Sequence, residues 1–136
     1  MTTLKDFSQL LQAARQQSSP QRLLFVFVDA VLPEDATPEE RLHFERGEGG
    51  VLEPMLCVDK HPDEVGDFDA LREESEATGQ PWLMVFVAAL SGKGSEPPSA
   101  EEVDQALKRM VQTVRTGGDI SRYVAFGRDG EPVRFY

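Results

Sequence analysis

From Trp82 to Leu90 every position is apolar. The run is too short to span a bilayer as a helix, which needs about 20 apolar residues. It shows no polar and apolar alternation, so it predicts a strand covered on both faces. Arg22–Val28 is the nearest match, continuously apolar from Leu23 until it breaks at Asp29. Two such runs predict neighbouring central strands of one sheet. Met55–Val58 predicts a further strand, with a start as early as Val51 allowed. Pro54 lacks a ladder donor and marks a strand start, an edge or a bulge there.

Helical spacing fills the intervals. Leu4, Phe7, Leu10, Leu11 and Ala14 predict a first helix starting near Thr3 as its cap, with Asp6 in its first turn. Thr37-Pro38-Glu39-Glu40 predicts a second, mostly exposed helix ending near Gly47, with Thr37 capping, proline first and glutamate three residues after the cap. A third helix is expected from Pro62 to about Thr78, with Val65, Phe68, Leu71 and Ser75 inward and Gly66 weakening its start. Ser99 and Glu102 form a capping box, and Val103, Ala106, Leu107, Met110, Val111 and Val114 form the stripe of a fourth helix stopped at Gly117-Gly118. Asp129-Gly130, between Tyr123–Phe126 and Pro132–Tyr136, predicts a hairpin.

The order αβαβαβαββ therefore predicts one α/β domain over residues 1–136. Its expected sheet is single, mixed and mainly parallel, flanked by helices, with a C-terminal antiparallel hairpin. If the first three strands are parallel, their C-terminal ends share one rim, where open α/β sheets bind ligands. That rim would gather Asp29, then Asp59, Lys60 and His61, then Ser91, Gly92 and Lys93. Carboxylates, lysines and an imidazole suit a polar small molecule; the alternative is that strand ends are polar because loops meet water.

Composition narrows the partners. The 136 residues carry a formal charge of -10, which disfavours nucleic acid and anionic membrane surfaces. Residues Met1–Asp6 lack a basic region followed by an apolar core, so no signal peptide is expected, and no transmembrane segment is visible. The lone cysteine, Cys57, forbids an intramolecular disulfide and is compatible with the cytosol. Catalysis by Cys57 would need a lowered thiol pKa, with Lys60 and His61 near in sequence. Its place in an apolar strand instead predicts a buried, inert thiol. The two histidines, His43 and His61, have no metal-ligand spacing, and no metal or cofactor is expected. The acidic residues of the third helix read as a solvated face. Ser91-Gly92-Lys93-Gly94-Ser95 follows a buried strand but lacks the spacing of a triphosphate loop. Arg46–Gly50 reads as a helix stop and turn.

Several stretches resemble a family of short bacterial proteins: Leu10–Gln17, Gln21–Phe27, Phe44–Gly50, Leu56–Lys60 and Phe86–Gly92. Its members often carry the label ribonucleotide reductase alpha subunit. The enzyme subunit of that name is a far larger barrel that uses several cysteines. The resemblance therefore implies a compact bacterial domain and brings over no catalytic residues. The expected function is a cytosolic, non-enzymatic binding or regulatory module for a protein partner or small polar ligand, with a homodimer allowed. The alternative is an enzyme or redox protein using Cys57 with Lys60 or His61.

Overall fold

The computed structural model describes residues 6–32, 34–46, 51–116, 118–120 and 123–133. Its elements are α1 (Phe7–Arg15), β1 (Gln21–Val31), α2 (Pro38–Glu45), β2 (Val51–Lys60), a 3-10 turn (Pro62–Glu64), α3 (Phe68–Glu76), β3 (Met84–Ser91), α4 (Ala100–Thr116), β4 (Val124–Gly127) and β5 (Pro132–Val133).

The sheet overturns the expectation of parallel strands. It has five strands in the order β2-β1-β3-β4-β5, and every neighbouring pair is antiparallel. Continuous apolar runs report that helices cover both faces; they carry no information about strand direction. The α2 connection buries none of its residues and does not cross the sheet, so β1 and β2 form a wide hairpin. β3 then settles on the other side of β1. Thus β2 and β3 run the same way, with β1 opposed between them.

β1 divides its side chains between two cores. Leu23, Phe25 and Phe27 pack with Phe7, Leu10, Leu11 and Ala14 of α1 and with Phe68 and Leu71 of α3. Leu24, Val26 and Val28 pack with Val103, Met110 and Val114 of α4. Full burial of side chains this size contributes about 1.5–3 kcal/mol each. Phe7 makes edge-to-face contacts with Phe68 and Phe126, ring centroids 5.3 and 5.4 Å away. The sheet is the middle of three layers, with α1 and α3 on one side and α4 on the other.

Element ends follow local chemistry. Asp6 caps α1, its carboxylate accepting from the Gln9 amide at 2.9 Å; Thr3 and Leu4 lie outside the described residues. Thr37 and Glu40 form the expected reciprocal box, as do Ser99 and Glu102. The expected stops at Gly47 and Gly117 lie outside the described residues. The helix expected from Pro62 is broken: Gly66 adopts φ +73, in the left-handed region, and Asp67 caps α3 afresh through the Ala70 amide. β1 continues past Asp29 to Val31. Trp82 precedes β3, and its indole donates to Ser75 of α3 at 2.8 Å. The closing hairpin turns at Gly130, φ +81; residues 134–136 of its expected second strand lie outside the described residues.

Candidate functional site

Antiparallel pairing separates the expected rim. Asp29 faces Glu53 across the ladder near one end of the sheet. Asp59, Lys60, His61, Ser91, Gly92 and Lys93 lie at the other end, beside Gln21 and Arg22 where β1 begins. Most of that group is engaged within the fold. Asp59 accepts from Arg22 at 2.7 Å, and Arg22 also reaches Glu64 at 3.2 Å. Lys60, its side chain 16% exposed, pairs with Glu74 at 2.9 Å. His61 Nδ1 accepts from the Asp63 amide and so caps the 3-10 turn, while Glu64 returns to the His61 amide. Asp29 accepts from the Ala30 amide.

The glycine loop after β3 closes on itself. Lys93 and Glu96 exchange backbone hydrogen bonds, and the Gly92 amide donates to Pro20. A Cβ at Gly92 would stand 2.0 Å from the Glu96 carbonyl oxygen, so glycine here serves the approach of the loop to its own backbone.

Cys57 is exposed, which corrects the expected buried thiol. Edge position is the reason: β2 has β1 on one side only. Cys57 pairs with Val26, a residue of the α4-side core. Lys60 serves the α3 side, through Glu74. Strand alternation therefore places the thiol and the Lys60 ammonium on opposite faces. Among the described residues no group of three or more His, Cys, Asp and Glu is placed to hold a metal. No helix of those residues is long and apolar enough to cross a membrane.

The sequence reading missed the feature that stands out: an unequal ladder. β3 pairs with β1 from Met84 to Ser91, but with β4 only from Met84 to Val87. Main-chain groups alternate in direction along an antiparallel ladder. The Gly92 bond to Pro20, and the Gly127 bond to Glu131 across the final hairpin, fix the phase from both sides. Ala88 and Leu90 turn theirs to β1; Ala89 and Ser91 turn theirs to the side where the β4 ladder has ended. A cleft of about 520 Å³ lies there, between Leu10, Ala13, Ala14 and Gln17 of the α1 end and Val87, Ala89 and Ser91 of β3. At its floor Gln21, 6% exposed, donates to Ser91 Oγ at 2.9 Å and to the Ser19 carbonyl at 3.1 Å. A second cleft, of about 460 Å³, adjoins it across Gln17 and Gln21 and is lined by Arg15, His61 and Asp63 among others. There Arg15 is held by Asp63 at 3.0 Å and by the Pro62 carbonyl. No tandem apolar or charged pattern announces where β4 begins, so only the paired register reveals this opening.

Compared with protein-family models, with curated proteins and with solved structures, the chain has no match.

Proposed function

We propose that this protein is a non-enzymatic binding module that takes up an extended segment of a partner protein along Ala88–Ser91 of β3. One observation carries the reading: among the described residues the β4 ladder ends at Val87 while β3 runs on to Ser91 beside an open cleft. A strand added at such an edge gains main-chain hydrogen bonds for affinity and side-chain pockets for specificity. The other long edge is guarded. β2 carries Pro54 with its missing N–H on the open side, a register shift opposite Phe27/Val28, and Glu53, Asp59 and Lys60; these devices discourage edge pairing.

The adjoining polar cleft supports the small-ligand version less well, because its Arg15 is already bound to Asp63. The enzyme alternative is less well supported in its Lys60 form, with Cys57 and Lys60 on opposite faces. A cytosolic bacterial setting fits the lone thiol and the resemblance to short bacterial proteins.

The test uses random peptides displayed on phage, selected against the full chain, with affinities of synthetic copies measured by fluorescence polarisation. Ala89→Pro removes one open-side N–H and no bond to β1. Ala13→Arg fills the cleft from α1 without touching the strand. Both variants should bind the selected peptide roughly tenfold more weakly or worse, with amide shifts in the parent centred on Ala89 and Ser91. Failure to select any peptide, or unchanged affinity in Ala13→Arg, would refute the proposal.

A further inference from the structure

We infer that His61 is a proton-operated cap: on taking up a proton its imidazole leaves the Asp63 amide for the Asp63 carboxylate and remodels the wall of the cleft beside α1. This goes beyond the docking along β3 and does not depend on it. Nδ1 of His61 accepts from the Asp63 amide at 3.1 Å. An accepting ring nitrogen carries no hydrogen, so the imidazole is neutral with its one N–H on Nε2. The same Nδ1 stands 3.6 Å from Asp63 Oδ2, too far for a hydrogen bond, with lone pairs on both atoms. A proton from solvent reverses these preferences; the His61 side chain is 47% exposed. Protonated Nδ1 has no lone pair left, so the Asp63 amide loses its acceptor. The new N–H donates instead to Asp63 Oδ2, a charge-assisted bond that draws the two atoms to about 2.8 Å.

The surrounding charges keep the exchange local. The turn itself supplies Asp63 and Glu64, and the Glu64 carboxylate accepts from the His61 amide at 3.0 Å. From α1 comes Arg15, held on Asp63 Oδ1 at 3.0 Å and on the Pro62 carbonyl at 3.3 Å. From β1 comes Arg22, which occupies Glu64 at 3.2 Å and Asp59 at 2.7 Å. Lys60, the β2 residue before His61, is taken up by Glu74 of α3. Asp63 therefore serves both cations, with Oδ1 on Arg15 and Oδ2 on the imidazolium. Imidazoles ordinarily change charge between about pH 5 and pH 8, where carboxylates and guanidinium groups do not. Arg15, His61 and Asp63 line the same cleft, of about 460 Å³. With His61 neutral the charges of these three side chains cancel. With His61 protonated they sum to one positive charge, and the 3-10 turn has lost its side-chain cap.

Nuclear magnetic resonance on the full chain tests this. Long-range nitrogen–proton spectra of the imidazole read the tautomer, and the Asp63 amide is followed from about pH 8 to pH 5. At the alkaline end the ring should carry its hydrogen on Nε2. On acidification the Asp63 amide proton should move upfield, as its hydrogen bond is lost, with the same midpoint as the His61 ring. His61→Asn keeps a capping oxygen and takes up no proton, so its Asp63 amide should stay at the capped position throughout. His61→Ala keeps neither and should hold that amide at the uncapped position at every pH. A hydrogen on Nδ1 at the alkaline end would overturn the inference, as would an Asp63 amide that ignores the titration of the ring. So would a step that survives in His61→Asn, since another group would then be its source.

Discussion

Ser75 shows how a small polar residue holds a large apolar one. Its hydroxyl accepts from the Trp82 indole at 2.8 Å and donates to the Arg72 carbonyl at 2.6 Å, in a site where Ser75 is 5% exposed. Arg128 lies over the Trp82 ring, 4.5 Å from its centroid. Removing the hydroxyl leaves a buried indole N–H without its acceptor, so Ser75→Ala should cost about 1–3 kcal/mol in urea unfolding. A change below about 0.3 kcal/mol would mean that the bond contributes nothing net. Two capping carboxylates give a pH signature. The Ser8 hydroxyl and then the Gln9 amide hold Asp6 below its ordinary value. The Ser99 amide and then its hydroxyl do the same for Glu102. Both groups prefer charge in the folded state, so what they add is present above the ordinary carboxylate range and fades as pH falls through the lowered folded values. The double variant Asp6→Asn/Glu102→Gln keeps polar caps and should flatten the loss of stability between about pH 5 and pH 2. An unchanged slope would contradict the capping account.

At the scale of elements, the sequence announces what is buried better than which way it runs. Leu10, Leu11 and Ala14, the capping boxes at Thr37 and Ser99, and the α4 stripe were all legible, because each is a local pattern with a local cause. Strand direction was not. Leu23–Val28 and Val85–Val87 are apolar on both faces because α1, α3 and α4 cover them, and that cover serves parallel and antiparallel neighbours equally. Trp82 extended the apolar run without being in the strand, since α3 rather than a ladder partner buries it. The same blindness to direction assembled a rim from Asp29 and Asp59, which stand at opposite ends of the sheet. It also hid the stretch of β3 past Val87, which has no β4 partner among the described residues. Cys57 was misjudged for a related reason: Met55–Val58 reads as interior, and only strand order shows that β2 is an edge.

At the scale of the molecule, the two ends of the sheet have different work. Arg15–Asp63 and Arg22–Glu64 tie the 61–67 segment to α1 and β1. As exposed pairs each contributes only about 0–1 kcal/mol, but together they fix the wall beside which the α1–β3 cleft opens. The three-layer packing buries Val85, Phe86 and Val87 of β3, and among the described residues the β4 pairing ends at Val87. Main-chain direction is the physical core of this account, and amide hydrogen exchange reads it residue by residue. In the free protein Ala88 and Leu90, bonded to β1, should exchange slowly, while Ala89 and Ser91 should exchange orders of magnitude faster, near the rate of exposed amides. Four equally protected amides from Ala88 to Ser91 would mean that the edge is already occupied, and would contradict the proposal that it receives a partner.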